Sequence, residues 1–205
     1  MRKEKIIIFD FDGVIADSFE IAFAINQISR PAITREGYRK LFNGNIYDAV
    51  LEDTAVSEVD FFAEYGERFK TLGIDNKIKP VLKKISENFR LFIISSTTNS
   101  IINEYLRRHE ILNYFTEVFG CDAETSKVKK FKTLFKEYKI LPAEAIFITD
   151  TVGDIKEAKE AKVNFIIGIL GGYQSRVSLE KAAPDVIVNN FNDFLRIIEG
   201  KQRVK

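Results

Sequence analysis

The chain has 205 residues, and its 31 lysine and arginine residues almost balance its 30 aspartate and glutamate residues. A net charge near zero argues against a broad electrostatic surface for nucleic acid or an anionic membrane, so we expect a small diffusible partner. No stretch is long and apolar enough to span a bilayer, and the single Cys121 cannot form an internal disulfide. The sequence therefore predicts a cytoplasmic protein that binds neither nucleic acid nor membrane. It leaves the oligomeric state open.

The first strong signal along the chain is an apolar run that ends in two carboxylates. Residues 6–9, Ile-Ile-Ile-Phe, are typical of a parallel strand that is covered on both faces. Asp10 and Asp12 follow at its carboxyl end, the place where open α/β sheets bind ligands. Gly13 allows a tight exit from the strand and close approach of a ligand to the main chain. The alternative is that both aspartates only form a turn.

Residues 16–79 contain no convincing strand and have the pattern of helices. The predicted helices cover residues 18–27, 35–42, 46–51 and 56–72. Ser18 is a candidate N-cap for the first of them and Ser57 for a later one. This helical pattern differs from the strand patterns on either side of it, which indicates an insertion after the first strand.

Beyond Pro80, short apolar runs alternate with helical patterns. This alternation predicts βαβ units and therefore a doubly wound parallel sheet, a Rossmann-like core in an α/β fold. We expect residues 1–15 and 80–205 to form this core, with residues 16–79 as a small α-helical cap. The only histidine, His109, lies at a polar helix end, where a solvated or C-capping role is expected. The later strands are predicted at residues 89–94, 118–120, 145–149, 165–169 and 186–188, and the helices at 81–88, from Asn99 or Ser100 to 109, 127–138, from 153 onward and 191–198.

Reactive side chains follow several of the predicted strands, and their pattern resembles the haloacid dehalogenase superfamily, in particular its phosphoglycolate phosphatase-like members. Residues 10–18, Asp-Phe-Asp-Gly-Val-Ile-Ala-Asp-Ser, resemble the first motif of that superfamily. Ile94-Ser95 resembles the second, Lys127 the third, and Ile-Thr-Asp-Thr-Val-Gly-Asp-Ile at 148–155 the fourth. The resemblance covers the whole chain and implies a phosphoric monoester hydrolase.

The resemblance also implies a role for each of these residues. Asp10 would be the nucleophile that forms an aspartyl-phosphate, and Asp12 the general acid and base. A phosphoryl group repels an attacking carboxylate unless a cation lies between them, and Mg²⁺ prefers oxygen ligands. The implied metal ligands are the Asp10 and Asp150 side chains and the Asp12 carbonyl, with Asp154 supporting them; Ser95, Ser96 and Lys127 would bind the phosphate.

Several of these residues have a simpler interpretation. Ser95 is also a candidate for capping a strand end, and Asp154 for capping its helix. The phosphate lysine is chosen by its spacing to Asp150, and Lys129 and Lys130 remain alternatives to Lys127. In the superfamily a proline often follows this lysine, whereas here a valine follows it.

Substrate discrimination is expected in the predicted cap, because the core motifs meet only the phosphoryl group. The stretch around Gly44 combines a flexible glycine with Arg39, Asn43 and Asn45, and these four residues are the predicted specificity determinants. The alternative is an ordinary helix-terminating loop with Gly44 as the C-cap. The sequence does not name the substrate beyond a small phosphorylated metabolite.

Other activities of the same superfamily remain open. Sugar phosphomutases of the superfamily typically carry an acidic pair in the fourth motif and a histidine near the start of the cap. Here Thr149 precedes Asp150 and residues 16–79 contain no histidine, which disfavours that activity. A phosphonate hydrolase would need a Schiff-base lysine in the cap, for which Lys40, Lys70 and Lys77 are candidates. A catalytically idle binding module with the same fold is the third alternative.

Overall fold

A computed structural model describes residues 6–51, 59–122 and 124–203 of the chain. Its centre is one sheet of six parallel strands in the order β3-β2-β1-β4-β5-β6. The strands are β1 (Ile6–Phe9), β2 (Arg90–Ile94), β3 (Phe115–Phe119), β4 (Ala145–Thr149), β5 (Phe165–Ile169) and β6 (Val186–Val188). The predicted doubly wound parallel sheet is confirmed, although β3 begins three residues earlier than expected.

The strand order places a ligand crevice beside β1. The chain passes outward from β1 to β2 on one side and from β4 to β5 on the other, so the order reverses between β1 and β4. Phe9 at the end of β1 is in register with Ile93 of β2 and Ile148 of β4. Ligands of doubly wound sheets bind outside the carboxyl ends of the strands at such a reversal.

Both faces of β1 are buried, which explains its unbroken run of apolar residues. Ile7 and Phe9 pack into one hydrophobic cluster, whereas Ile6 and Ile8 pack into a second cluster on the opposite face. Successive side chains of a strand point to opposite faces, so a strand between two layers of helices needs apolar residues at every position.

Ten helices are assigned within the described residues. They are α1 (Phe19–Ser29), α2 (Arg35–Lys40), α3 (Ile46–Leu51), α4 (Phe61–Phe69), α5 (Ile78–Ser86), α6 (Asn99–Arg108), α7 (Lys127–Glu137), α8 (Val152–Glu160), α9 (Arg176–Ala182) and α10 (Phe191–Arg203). Short 3-10 turns lie at Leu41–Asn43, Leu112–Tyr114 and Pro142–Glu144. None of the described helices combines the length and apolarity that a membrane crossing requires.

Helices α1–α4 and the 3-10 turn Leu41–Asn43 lie between β1 and β2 in the chain, and we call them the helical insertion. Aromatic rings hold it together: Phe19 contacts Tyr38, and Phe61 stacks on Tyr65 with ring centroids 5.1 Å apart. The helix predicted over 56–72 is shorter, since α4 begins at Phe61. Ser57 lies outside the described residues. The division into a core and a cap domain stays a prediction.

Several helix boundaries differ from the predictions. Ser18 occupies the N-cap position of α1, but its side chain makes no capping hydrogen bond. Thr98, rather than Asn99 or Ser100, is the N-cap residue of α6. Helix α5 starts before Pro80, because proline is tolerated in the first turn. Helix α9 was not predicted, and α10 continues past residue 198.

Candidate active site

Two adjacent strands deliver the first carboxylates to the crevice. Asp10 directly follows β1, and its backbone N–H donates to the Ile148 carbonyl at 2.9 Å, which continues the β1–β4 ladder. Asp150 directly follows β4 and is fully buried. The structure thus brings Asp10 and Asp150 to the same edge of the sheet, because they follow neighbouring parallel strands.

Asp10 and Asp154 share one lysine. The Lys127 ammonium donates to Asp10 Oδ1 and to Asp154 Oδ2, each at 2.7 Å, and all three side chains are buried. Burial and the neighbouring charge of Asp154 raise the pKa of Asp10 well above its usual range, against the opposing effect of Lys127. Burial is the largest single effect on Asp154 and would raise its pKa, but the charge of Lys127 and the hydrogen bonds from Asp10, Lys127 and Thr149 together lower that pKa. The site therefore keeps a buried, charge-assisted triad.

The three candidate lysines have different environments. Lys129 is exposed and pairs with Glu124 at 3.3 Å. Lys130 is buried beneath the site, where its ammonium donates to the Ser95 carbonyl at 2.5 Å; burial and the charge of Lys127 lower its pKa to about 8. Of the three, the structure brings only Lys127 into contact with Asp10. Its role as the phosphate lysine stays a prediction.

Asp150 is held through one carboxylate oxygen only. Oδ2 accepts the Tyr173 backbone N–H at 2.5 Å, whereas Oδ1 is buried and has no hydrogen-bond partner among the described residues. Gly13 and Gly172 pack so tightly on this carboxylate that a Cβ on either would lie 2.0 or 2.1 Å from Oδ2. Burial raises the pKa of Asp150 to about 8. Gly13 also has φ +74°, a conformation that suits glycine.

We name Asp10, Asp150, Asp154 and Lys127 the carboxylate cluster. Three carboxylates and one ammonium leave two negative charges when all are ionised, and one buried oxygen has no donor among the described residues. An oxygen-preferring divalent cation such as Mg²⁺ fits this surplus of charge. No group of three or more acidic, histidine or cysteine side chains in the described part of the chain is arranged to hold a metal alone. The predicted ligand set contains only two carboxylate side chains and one main-chain carbonyl, so it is compatible with this absence.

Hydroxyl groups from separate segments converge on Asp12. Its Oδ1 accepts hydrogen bonds from Ser18 at 2.8 Å and from Tyr65 at 2.5 Å, and its Oδ2 accepts from Thr97 at 2.7 Å. The Tyr173 hydroxyl lies 3.1 Å from that of Ser18. Tyr65 belongs to α4, so the helical insertion contacts the predicted acid directly. Hydroxyls both donate and accept, which suits a carboxyl that gains and loses a proton.

The serines that follow β2 have different roles in the structure. Ser95 is completely buried, and its Oγ accepts the Thr97 backbone N–H at 3.0 Å. Ser96 and Thr97 line the cavity above Asp10, and the Ser96 carbonyl accepts from the Tyr47 hydroxyl at 2.7 Å. The phosphate-binding role of Ser95 and Ser96 stays a prediction; in this structure the Ser95 hydroxyl shapes the loop.

The profile of the haloacid dehalogenase-like hydrolase family matches residues 7–167. The chain belongs to this family. The sequence-based prediction of a hydrolase from the haloacid dehalogenase superfamily is thereby confirmed.

Known members resemble this haloacid dehalogenase-like hydrolase along its whole length. The phosphoglycolate phosphatase of Vibrio vulnificus is 25% identical over 223 residues, covering 95% of this chain and 96% of its own. That of Aquifex aeolicus is 26% identical over 214 residues, covering 96% and 97%. A haloacid dehalogenase-like hydrolase from Streptococcus pneumoniae superposes with a TM-score of 0.80 at 18% identity, covering 97% of this chain and 100% of its own. This last similarity shows the shared fold.

A cavity of about 380 Å³ lies in this hydrolase between the carboxylate cluster and the helical insertion. One end is charged and includes Asp10, Asp12, Lys127 and Asp154. The side formed by the insertion is mostly apolar and includes Ile25, Phe42, Ile46, Tyr47, Phe61 and Phe62. Its size suits a small organic ligand.

The predicted specificity residues separate into two groups. Gly44 lines the cavity, whereas Arg39, Asn43 and Asn45 do not. Arg39 donates to the Tyr173 carbonyl at 2.8 Å, Asn43 accepts from Gln174 at 2.9 Å, and Asn45 donates to Glu157 at 3.1 Å. These three side chains connect the insertion to the core, so the structure does not bring them to the cavity. Their effect on specificity stays a prediction.

Sequence reasoning missed two residues that contact the predicted site. The sequence pattern places Tyr65 only within a predicted helix and gives no signal for Tyr173. Thr97 carried a usable signal, since it belongs to the polar run that follows β2. The role of Ser18 was misassigned, because its hydroxyl donates to Asp12 rather than capping α1. His109 is the C-cap residue of α6 and lies away from the cavity, with Nε2 3.0 Å from the Leu72 carbonyl.

Proposed function

We propose that this hydrolase is a Mg²⁺-dependent phosphatase that cleaves a small phosphorylated metabolite through an aspartyl-phosphate on Asp10. The observation that carries the proposal is the pairing of Asp10 with Lys127 at 2.7 Å on the cavity floor, with a hydroxyl-bound Asp12 two residues away. The phosphoglycolate phosphatases that align over nearly the whole chain support the same reaction class.

In the first half-reaction, a carboxylate oxygen of Asp10 attacks phosphorus and the bond to the leaving alkoxide breaks. Lys127 orients Asp10 and offsets the charge that gathers around the phosphoryl group. Protonated Asp12 gives its proton to the alkoxide, so the alcohol leaves neutral. The hydroxyls of Ser18, Tyr65 and Thr97 hold Asp12 in one orientation during the transfer.

In the second half-reaction, water attacks the phosphorus of the aspartyl-phosphate, and the bond to the Asp10 oxygen breaks. Asp12, now a carboxylate, accepts a proton from the attacking water, so both residues return to their starting states. Inorganic phosphate is the product. One residue thus serves as acid and then as base, which requires a carboxyl that is held firmly in both protonation states.

Asp10, Asp150 and the Asp12 carbonyl are the proposed ligands of Mg²⁺. The bound cation supplies positive charge that reduces repulsion between the Asp10 carboxylate and the phosphoryl oxygens. The buried Asp150 Oδ1 supports this assignment, because an oxygen that lacks a donor is otherwise costly to bury.

The alternative activities receive less support from the cavity. Lys40, Lys70 and Lys77, the candidate Schiff-base lysines, are absent from the described cavity lining, and Lys70 pairs with Glu67 at 2.6 Å on the surface. Phosphomutases of the superfamily typically carry an acidic pair in the fourth motif, and here Thr149 replaces the first acid of that pair. Its hydroxyl donates to Asp154 at 2.7 Å, which is a structural hydrogen bond. Hydrolysis is the reaction that these residues favour.

Phosphate release from a panel of phosphorylated metabolites, measured with Mg²⁺ and after exhaustive EDTA treatment, tests the proposal. We expect turnover that disappears with EDTA and returns with Mg²⁺. Borohydride added during turnover should reduce the aspartyl-phosphate to homoserine, which peptide mass spectrometry should locate at Asp10. Asp17→Asn, in an exposed carboxylate of the same loop, is the matched control. Full activity without metal, or trapping at another residue, would overturn the proposal.

A further inference from the structure

The side of the cavity that faces the carboxylate cluster is built from aromatic rings. Phe42 comes from the 3-10 turn, Tyr47 from α3, and Phe61, Phe62 and Tyr65 from α4. We call these five residues the aromatic wall. In the proposed phosphatase the phosphoryl group lies at the carboxylate cluster, so the aromatic wall meets the leaving alcohol.

The hydroxyl groups of the wall are already engaged by the core. Tyr47 donates to the Ser96 carbonyl at 2.7 Å, and Tyr65 donates to Asp12 at 2.5 Å. The phenylalanines Phe42, Phe61 and Phe62 have no polar side-chain atom. What the wall presents to a ligand is therefore ring surface rather than hydrogen-bonding groups.

Polar side chains on the insertion side of the cavity include the Tyr38 hydroxyl of α2 and lie mainly at the end of α1. Asn26, Ser29 and Arg30 line the cavity there, and the Asn26 side chain already donates to the Ala22 carbonyl and accepts from Arg30. A polar substituent of the ligand would meet this region. The aromatic wall would leave hydroxyls of a compact polyol or sugar that pack against it without partners, which is costly where the rings exclude water.

We infer that the preferred substrate is a phosphomonoester whose alcohol carries an aromatic ring, carbocyclic or heterocyclic, that packs against the aromatic wall. The inference rests on the proposed phosphatase function and specifies its substrate class. Rings pack on rings in offset or edge-to-face geometry and gain more than area burial alone provides. The cavity volume of about 380 Å³ accommodates a ring in addition to the phosphoryl group.

Benzyl phosphate and ethyl phosphate form the matched test pair, because both release a primary alkoxide and differ chiefly in the ring. We expect kcat/KM for benzyl phosphate to exceed that for ethyl phosphate by about tenfold or more, the discrimination that a filled apolar pocket provides. Phosphoglycolate, measured alongside, represents the compact anionic alternative. A ratio near one, or a preference for phosphoglycolate over benzyl phosphate, would overturn the inference.

Phe62→Leu tests the wall itself. Phe62 is half-buried and contacts Phe61, so leucine removes the ring but keeps an apolar side chain. The benzyl-to-ethyl ratio should fall several-fold. Phe23→Leu is the control, since Phe23 stacks on Phe19 within the insertion but does not line the cavity; its ratio should match wild type. Equal ratios in wild type and Phe62→Leu would count against the wall as the binding surface.

A binding measurement separates failure of this inference from failure of the proposed function. If no ester releases phosphate, the phosphatase proposal fails, and calorimetry with benzylphosphonate and ethylphosphonate in Mg²⁺ still tests the cavity. We expect benzylphosphonate to bind about tenfold more tightly. Equal affinities would overturn the inference whether or not the esters are hydrolysed.

Discussion

The carboxylate cluster and the aromatic wall face each other across one cavity but are built by different interactions. The cluster is fixed by the ends of parallel strands and by charged hydrogen bonds of 2.7 Å from Lys127 to Asp10 and Asp154. The wall is fixed by ring packing, such as the stack of Phe61 on Tyr65. A change of ring in the wall leaves the sheet in place, whereas a change in the cluster leaves a buried charge unpaired. Under the proposed function, the carboxylate cluster would carry the reaction chemistry and the insertion would select the substrate.

Asp10→Asn should have the largest effect of any single change. The amide is neither an adequate nucleophile nor an equivalent metal ligand, so we expect kcat to fall by at least about a thousandfold for every ester. Asparagine keeps the side-chain volume, and circular dichroism should show a folded protein. Steady-state phosphate release measures the loss. Wild-type turnover by this variant would show that the nucleophile lies outside the carboxylate cluster.

Asp12→Ala should have the next largest effect, and one that depends on the leaving group. General acid catalysis contributes about a hundredfold or more, and poor leaving groups need the proton most. We therefore expect a much greater loss of kcat/KM with ethyl phosphate than with p-nitrophenyl phosphate. An equal loss with both esters would show that Asp12 does not act as the acid.

Lys130 provides a test of the layer beneath the cluster, through stability rather than rate. Its pKa of about 8 in the folded protein lies below the 10.5 of an ordinary lysine, so between these pH values the unfolded chain holds more protons. The free energy of unfolding should therefore rise with pH in this window, by about 1–3 kcal/mol. Lys130→Met lacks this contribution. Urea titrations from pH 7.5 to about 10.5 should show that the free energy of unfolding of wild type minus that of Lys130→Met increases with pH. A decrease of this signed difference would contradict the assignment.

The smallest effects are expected where the insertion meets the core, at Arg39, Asn43 and Asn45. The sequence-based prediction is that alanine at these positions changes the ranking of substrates. Their contacts with Tyr173, Gln174 and Glu157 instead favour a uniform change of about threefold or less for all esters. Comparing kcat/KM for benzyl, ethyl and p-nitrophenyl phosphates across the three variants decides between the two. A changed ranking would show that the residues that determine specificity extend beyond the aromatic wall.

The sheet and its strand-end acids were predictable because their signals are local. A continuous apolar run such as residues 6–9 indicates a strand covered on both faces, and the polar residue that ends it marks the crevice. The terminal strand β6 was predicted for the same reason. By contrast, α9 was missed because its seven residues contain four charged or polar side chains and bury only Leu179.

The contacts of the insertion were not predictable because they join distant parts of the chain. Helical periodicity places Tyr65 on a buried face but does not reveal that its hydroxyl reaches Asp12, 53 residues earlier. Arg39 looked suited to a ligand, yet its guanidinium meets a carbonyl 134 residues away and lies 4.3 Å from the Phe19 ring. Long polar side chains such as these have many possible partners, and only the folded chain selects among them.

The hydrogen bonds on Asp12 have a consequence for how the protein loses activity under stress. The donors come from the first loop, from α4 and from the segment after β2, so the carboxyl is held correctly only while all three segments are folded together. Proteins open locally at a lower free energy than they unfold globally, and the core strands of a sheet are among the last regions to open. Detachment of α4 alone would release one of the two hydroxyls on Oδ1 while the sheet persisted. Inactivation should therefore precede unfolding on heating, with the enzyme silent at temperatures where its sheet is still intact.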